Sequence, residues 1–268
     1  MYAEPEHIAD NRKDPEKGVT KFLREYGIVL VAVMAAGILM KMFVLDAIVI
    51  PSHSMENTLL VGDYVFIDKL ISHQEFTSAE TPFTKLFASR TIERGDVIVF
   101  KFPELQSPED GSLYIKRCIA KEGDEISMLN GEVYVNGERI ISSDHGESFD
   151  PLTVPYRGMV ISLTKDNYAL WAPVIRREGH SIIWDNDRGF EIDGAFVSTY
   201  TIQKNYLFVL GDNLDHSYDS RSWGFLPFEN VVGRALMVYW SMNNSAPMNS
   251  VSDVVSSIRW NRICTMIR

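Results

Sequence analysis

The chain has 268 residues, of which 46% are hydrophobic and 23% are charged, so it is long and apolar enough to fold around a sizeable core. Its formal net charge of −10 at pH 7 argues against a nucleic-acid-binding protein, because such proteins neutralise phosphates with an excess of Lys and Arg. The two cysteines, Cys118 and Cys264, lie far apart, and no His stands at ligand spacing from them. We therefore expect two unpaired thiols, and neither a disulfide framework nor a metal site.

An apolar run near the N-terminus predicts a membrane anchor. Residues 27–45 read GIVLVAVMAAGILMKMFVL, and their one charged residue, Lys41, stands close enough to the end for its side chain to reach the interface. At about 1.5 Å per residue, a helix of this length nearly crosses a hydrocarbon core of about 30 Å. The alternatives for this run are a cleaved signal peptide and a buried core helix.

The charges around the run predict its orientation. Residues 45–68 contain no Lys or Arg, whereas five basic residues precede the run: Arg12, Lys13, Lys17, Lys21 and Arg24. By the positive-inside rule, we expect a cytoplasmic tail at 1–25, one transmembrane helix at 26–45 and an extracytoplasmic domain at 46–268.

Short runs rich in β-branched and aromatic residues follow the anchor and predict an all-β domain. They read DAIVI, DYVFID, GDVIVFKF, LYIKRCIA, GEVYVNG, NYLFVLGD and GRALMVYW. The pairs Asn130-Gly131 and Asn136-Gly137 predict tight turns of type I′ on either side of EVYV. The more polar region 130–200 is interpreted as a β-rich subdomain inserted into the core. The C-terminal stretch SIRWNRICTMIR is basic and apolar, and it is suited to lie against a protein surface or a membrane.

Two segments contain candidates for nucleophilic chemistry. The irregular segment PSHSM offers Ser52 and Ser54, and a serine hydroxyl needs a neighbouring base to act as a nucleophile. Lys116 stands in the middle of the apolar run LYIKRCIA, where burial could lower its pKa by the 2 to 3 units, roughly, that a useful base requires. A serine that only caps a turn, and a lysine that reaches solvent from an edge strand, remain alternatives.

A third segment, LGDNLDHSYDSRSWGFLP at 210–227, is dense in hydroxyl and charged side chains. The spacing of Asp219 and Arg221 predicts a local ion pair. Ser217 could form a hydrogen bond with the neutral amine of a lysine and so orient the lone pair of that amine.

Four motifs in the same order resemble the boxes of bacterial type I signal peptidases. They are PSHSM at 51–55, RGDVIVFKFP at 94–103, YIKRCIAKEGD at 114–124 and GDNLDHSYDSRSWGFLP at 211–227. The resemblance implies a mainly β, LexA-like catalytic core and a Ser/Lys dyad of Ser54 as nucleophile and Lys116 as base. It also implies that the Ser52 hydroxyl and the Ser54 N–H form the oxyanion hole. Ser217 would orient the lysine, and Asp219 with Arg221 would brace the site.

The same resemblance implies a substrate class, a location and a set of pocket residues. The substrates would be signal peptides of exported preproteins, cut after small residues in an Ala-x-Ala pattern at the outer face of the inner (plasma) membrane, with membrane lipid as the other partner and no cofactor or metal. The pockets for the small side chains would be lined by Ile50, Leu59, Val65, Val99, Tyr114 and Ile115.

The chain departs from the family pattern at three positions. Asn57 stands where Pro is usual, Leu214 where Arg is usual, and His216 where Asn is frequent. His216 also raises a Ser/His alternative, although a single His is more often structural. Two other functions remain open: a self-cleaving repressor, for which the first 45 residues offer no DNA-binding head, and a membrane-anchored protein that binds signal-peptide-like ends without cutting them.

Overall fold

The N-terminal part of the chain is described only in fragments. The computed structural model describes residues 26–27, 29–38, 41, 44–70, 91–103, 112–142, 146–243 and 250–267, and it forms two units, Met1–Val44 and Leu45–Arg268. Residues 29–38 are helical. Within the described ranges, no helix is both long and apolar enough to cross a membrane. The predicted tail at 1–25 and part of the predicted anchor at 26–45 lie outside them, and Leu45 belongs to the first strand of the second unit.

The second unit is built on an eight-stranded antiparallel sheet. Its order is β1-β2-β16-β3-β4-β14-β15, with β17 paired to β16. The bounds are β1 Leu45–Val49, β2 Asp63–Asp68, β3 Val97–Lys101, β4 Leu113–Ala120, β14 Tyr206–Leu210, β15 Leu226–Pro227, β16 Val231–Ser241 and β17 Thr265–Met266. The prediction of a mainly β fold is confirmed.

Three smaller sheets and a helix lie between β4 and β14 in sequence. The sheets are β7-β6-β5-β8, β10-β11-β12 and β13-β9. Their bounds are β5 Glu125–Leu129, β6 Glu132–Val135, β7 Glu138–Ser142, β8 Phe149–Thr153, β9 Val160–Ser162, β10 Ile182–Asp185, β11 Gly189–Ile192, β12 Ala195–Val197 and β13 Thr199–Thr201, with helix α1 at Tyr168–Arg177. The turns around β6 have the positive φ values of type I′, as predicted: Asn130 51°, Gly131 84°, Asn136 52° and Gly137 81°.

The region 130–200 packs directly on the main sheet. One hydrophobic cluster joins side chains of this region, such as Val133 and Trp171, to Phe208 of β14 and to Phe225. Its first sheet begins at Glu125, before the predicted boundary at residue 130. The description of this region as an insertion stays a prediction, but its hydrophobic core is shared with the eight-stranded sheet.

Two further clusters lie on either side of β4 and position the candidate site. Ile115 packs with the apolar residues of β2 and the segment before it, including Val65 and Leu59. Cys118 packs in the other cluster, with Val209 and Trp223. Because both faces of β4 are covered, a charged residue in its middle is removed from water.

Two short helices lie in the C-terminal part of the second unit. They are α2 at Ser220–Trp223 and α3 at Val251–Ser257. The tail that follows α3 forms β17 against β16, so it packs on the sheet of its own protein. This placement agrees with the first of the two surfaces considered for the basic C-terminal stretch.

Candidate active site

Ser54 lies on a loop that closes on itself, residues 50–63, which we call the Ser54 loop. The Ile50 N–H donates to the Asp63 carbonyl (2.9 Å), and the Gly62 N–H donates to the Ile50 carbonyl (3.0 Å). Gly62 has φ 87°, a conformation that residues with side chains rarely adopt. A single 3₁₀ turn, His53–Met55, carries Ser54 within the loop, and Ser54 is only 5% exposed. The serine is therefore held by a closed and largely buried turn.

Lys116 lies in the middle of β4 and reaches Ser54. It is opposite Ile98 of β3 in the sheet register and is 4% exposed. Its Nζ donates to the Ser54 Oγ over 2.6 Å. Burial lowers the pKa of Lys116 to about 8, and the negative charges of Asp219 and Asp212 oppose this shift without cancelling it. The strand thus delivers an amine that loses its proton more readily than an ordinary lysine.

Ser217 lies beside the dyad, but its predicted hydrogen bond is not formed. Among the described residues its Oγ is buried and has no hydrogen-bond partner, so it does not bond to the amine of Lys116 in this structure. The Ser217 side chain is close to Gly211: a Cβ built on Gly211 would lie 2.2 Å from the Ser217 Oγ and 2.5 Å from the Ser54 carbonyl oxygen. The absence of a side chain at 211 is what allows these two groups to approach.

Asp219 and Arg221 form the ion pair that their spacing predicts. The Arg221 Nε donates to the Asp219 carboxylate over 2.9 Å, and that carboxylate, which is fully buried, also accepts from the Gly211 N–H (3.1 Å). Arg221 donates further to the Leu214 carbonyl (2.6 Å) and to Glu147 (3.0 Å). The pair therefore fixes both ends of the segment that contains Ser217.

A second ion pair, which was not predicted from the sequence, joins β4 to Asp212, and Thr58 of the Ser54 loop bonds to both partners. Arg117, the neighbour of Lys116, donates twice to the Asp212 carboxylate, at 2.7 Å each. Thr58 of the Ser54 loop donates to the same carboxylate (2.5 Å) and accepts from Arg117 (2.8 Å). The side chains of Arg117 and Asp212 are 16% and 7% exposed, so this bidentate pair is shielded from water.

Two asparagines add further bonds between the same segments. The Asn57 Nδ2 donates to the Asp212 carbonyl over 2.8 Å. The Asn213 N–H donates to the Ser54 carbonyl over 3.0 Å. In the sequence, Asn57 stood out only as a departure from the usual proline of the resembled family, and Asn213 only as part of the motif GDNLDHSYDSRSWGFLP. Asn57 thus forms a side-chain bond across the site, at a position where the resembled family usually has a proline.

The six predicted pocket residues separate into two groups. Five of them lie in one cluster next to the Ser54 loop and are 0–5% exposed: Ile50, Leu59, Val65, Val99 and Ile115. Tyr114 instead packs against Phe102, with ring centroids 5.1 Å apart, beside the other cluster. The five form an apolar layer behind the dyad, and their contact with a substrate stays a prediction.

Ser52 and His216 are both exposed and differ in their relation to Ser54. The Ser52 Oγ lies 3.4 Å from the Ser54 Oγ, and its part in an oxyanion hole stays a prediction. The His216 Nδ1 lies 3.3 Å from the Asn213 Oδ1 instead. The amine, and not this imidazole, is the basic group bonded to Ser54.

The two thiols are free. Cys118 is buried and Cys264 is exposed, and burial raises the pKa of Cys118 to about 12. Within the ranges that the structure describes, no group of three or more His, Cys, Asp or Glu side chains is placed to hold a metal ion.

Comparison with known proteins identifies relatives over most of the chain. The family model described as signal peptidase, peptidase S26, matches residues 23–240. A signal peptidase I of Aquifex aeolicus is 33% identical over 242 residues, which cover 82% of this chain and 85% of that protein. A signal peptidase I of Rickettsia massiliae is 30% identical, covering 95% and 96%. A crystal structure of a signal peptidase I from Enterococcus faecalis is 20% identical, covers 54% of this chain and 97% of its own, and gives a TM-score of 0.28. The matched family and these identities show that the chain belongs to the signal peptidase family, peptidase S26.

Proposed function

We propose that this peptidase is a membrane-bound serine endopeptidase that removes N-terminal signal peptides from exported preproteins, with Ser54 as nucleophile and Lys116 as general base. Family membership supports the substrate class. The observation that carries the assignment of the dyad is the 2.6 Å bond between the Lys116 Nζ and the Ser54 Oγ.

The proposed reaction begins with a proton transfer inside the dyad. Neutral Lys116 takes the proton of the Ser54 hydroxyl while the Oγ attacks the carbonyl carbon after the last signal-peptide residue. A lysine with a pKa of about 8 supports this role, because roughly one molecule in ten carries the neutral amine at pH 7. An ordinary lysine would be neutral in fewer than about one molecule in 10³.

The tetrahedral intermediate then collapses to an acyl-enzyme. Its oxyanion would accept hydrogen bonds from the Ser54 N–H and from the Ser52 hydroxyl, whose position 3.4 Å from the Ser54 Oγ supports the second bond. The Lys116 ammonium returns its proton to the leaving amine as the C–N bond breaks. The Lys116 amine then takes a proton from a water molecule whose oxygen attacks the ester carbon, and the ammonium returns this proton to the Ser54 Oγ as the ester C–O bond breaks.

We further propose a preference for small residues in an Ala-x-Ala pattern. The apolar layer next to the Ser54 loop is closely covered by the rest of the protein, since Leu59, Val65 and Val99 are fully buried. A substrate side chain that contacts this layer must be small or must displace buried groups. We therefore expect this layer to exclude large substrate side chains rather than to bind any one small side chain strongly.

The anchor predicted at 26–45 would place the reaction at the outer face of the plasma membrane, with the N-terminus in the cytoplasm. Exported preproteins present their cleavage sites close to the bilayer. A catalytic unit tethered there meets them at a higher effective concentration than a freely diffusing enzyme would. Membrane lipid is then a partner of the anchor, and Lys41 would lie near its interface.

A cleavage assay tests the proposal. The detergent-solubilised full chain is incubated with a preprotein that carries an Ala-x-Ala site, and the wild type is compared with Ser54→Ala and Lys116→Ala. We expect cleavage by the wild type and a loss of at least about 10³-fold in both variants, because neither half of the dyad acts alone. His216→Ala is the matched control and should retain activity, since its ring contacts Asn213 and not Ser54.

Each of the other outcomes of this assay would favour one of the alternative functions or mechanisms. No cleavage by the wild type, with retained binding of the preprotein, would favour the non-catalytic binding protein. Equal cleavage by the wild type and Lys116→Ala would exclude Lys116 as the base, and a loss in His216→Ala would favour a Ser/His mechanism.

A further inference from the structure

The C-terminal tail, residues 259–267, forms hydrogen bonds with the Ser54 loop. The Arg262 guanidinium donates to the Thr58 carbonyl (2.9 Å) and to the Asp63 carboxylate, with its closest contact at 2.5 Å. Arg259 donates to the Val61 carbonyl (2.9 Å). Three backbone or carboxylate acceptors of the loop are therefore held by side chains that are about 200 residues away in sequence.

Asp63 is the buried centre of these contacts. Its side chain is fully buried, and it also accepts from the Ser241 hydroxyl (2.6 Å) and from the Leu60 N–H (2.8 Å). Burial by itself would raise the pKa of Asp63, but the hydrogen bonds, with that from Arg262 the largest, hold this pKa below its usual value. Arg262 is thus the close counter-charge of a carboxylate that forms one end of the loop.

Thr58 connects this contact to the nucleophile. Its N–H donates to the Met55 carbonyl (2.9 Å), so it belongs to the turn that immediately follows Ser54. Its side chain is already bonded to Asp212 on the other side of the site. Thr58 is therefore bonded to Asp212 through its side chain and to Arg262 through its carbonyl. A shift of Thr58 would move the Ser54 Oγ relative to the Lys116 Nζ.

The tail is itself fixed to the sheet. Met266 of β17 pairs with Met237 of β16, the Ile267 N–H donates to the Leu236 carbonyl (2.9 Å), and the Arg259 N–H donates to the Ser241 carbonyl (3.0 Å). The Arg262 guanidinium is therefore presented by an ordered backbone. Its position beside the Ser54 loop is fixed by these backbone bonds.

We propose that Arg262 is a positioning residue for Ser54, and that the C-terminal tail is part of the active-site scaffold. The inference rests on the proposed function of the dyad. Arg262 lies outside residues 23–240, which the family model matches. Loss of the Arg262 contacts should lengthen the distance between the Ser54 Oγ and the Lys116 Nζ. It should therefore lower kcat with little change in KM.

The test measures kcat, KM and the melting temperature of the full chain for three variants. Arg262→Gln should lower kcat by about 10- to 100-fold, as expected for a displacement of about 1 Å, with KM within about twofold. Arg262→Lys keeps the charge but cannot bond Asp63 and Thr58 as a planar fork. It should stay folded and lose about three- to tenfold in kcat.

The double variant Arg262→Gln with Asp63→Asn separates positioning from simple stabilisation. It removes the buried carboxylate, which in Arg262→Gln keeps only the more distant Arg259 (3.8 Å) as a counter-charge. The melting temperature should therefore recover relative to Arg262→Gln, while kcat should stay low because the Thr58 carbonyl has still lost its donor. Recovery of kcat together with the melting temperature would overturn the proposal. Arg139→Gln is the control, since it removes an ion pair with Glu132 (2.7 Å) that joins β6 and β7 of a separate sheet.

The outcome is also separable from that of the proposed function. No cleavage by the wild type would sink the assignment of the enzyme itself. Cleavage by the wild type and by Arg262→Gln with equal kcat would overturn the role of Arg262 alone.

Discussion

Replacing Lys116 with methionine should make the folded protein more stable while it removes activity. The pKa of this lysine falls from 10.5 to about 8 on folding because the charged amine is buried. A fall of about 2.5 pKa units corresponds to roughly 3 kcal/mol of destabilisation, at about 1.4 kcal/mol per unit. The substitution also removes the bond to Ser54, worth about 1 kcal/mol. We therefore expect Lys116→Met to raise the free energy of unfolding by about 2 kcal/mol at pH 7.

The sign of this effect should reverse with pH. The destabilisation is complete below the folded pKa of about 8 and disappears as the pH rises through the unfolded value of 10.5, because the unfolded chain then also carries a neutral amine. Wild-type stability should thus gain roughly 3 kcal/mol from this residue between pH 7 and pH 11. The variant lacks that gain, so at the higher pH it should be the less stable protein by about 1 kcal/mol.

Chemical unfolding of the detergent-solubilised chain at both pH values measures the difference directly. Other groups titrate in the same range, but they are common to both proteins and cancel in the comparison. Lys101→Met is the matched control, because Lys101 is exposed at the end of β3. A difference between wild type and Lys116→Met that stays the same at pH 7 and pH 11 would mean that Lys116 is solvated, and the assignment of the base would have to be abandoned.

Three further predictions concern the same site. The kcat/KM of the wild type should rise about tenfold between pH 7 and pH 9 and then level off, since Lys116 has a pKa of about 8; a rise that continues to pH 10.5 would contradict this. Gly211→Ala should lower kcat by about 10²-fold, because the new Cβ would lie 2.5 Å from the Ser54 carbonyl oxygen and must displace it; unchanged kinetics would show that the loop adapts. Asn57→Ala removes a 2.8 Å bond to the Asp212 carbonyl, so kcat/KM should fall by about fivefold, as a steady-state comparison with wild type would show.

Local patterns in the sequence predicted the strands, and the resemblance to signal peptidases implied the pairing of Ser54 with Lys116. The runs DYVFID and LYIKRCIA coincide with β2 and β4 from end to end. Lys116 stood out because a charged side chain in an apolar strand needs a partner, and that reasoning depends on neighbouring residues alone. Helix α1 was not predicted, because its ten residues include Pro173 and its apolar face is short.

Contacts between distant segments could not be predicted in this way. Arg117 and Asp212 are 95 positions apart, and Asp63 and Arg262 are 199 apart. The residues around each of these charges do not indicate which distant residue is its partner, and only the fold brings the two together. The predicted bond from Ser217 to the lysine is not formed, and the Ser217 side chain lies beside Gly211 instead.

The two thiols make the protein convenient to label. Cys264 is exposed, whereas Cys118 is enclosed in the core with its pKa raised to about 12, so a maleimide dye at neutral pH should react at one position of the folded chain. That position is two residues from Arg262. A dye attached there would report, without any engineered cysteine, whether the tail separates from the sheet when a preprotein binds.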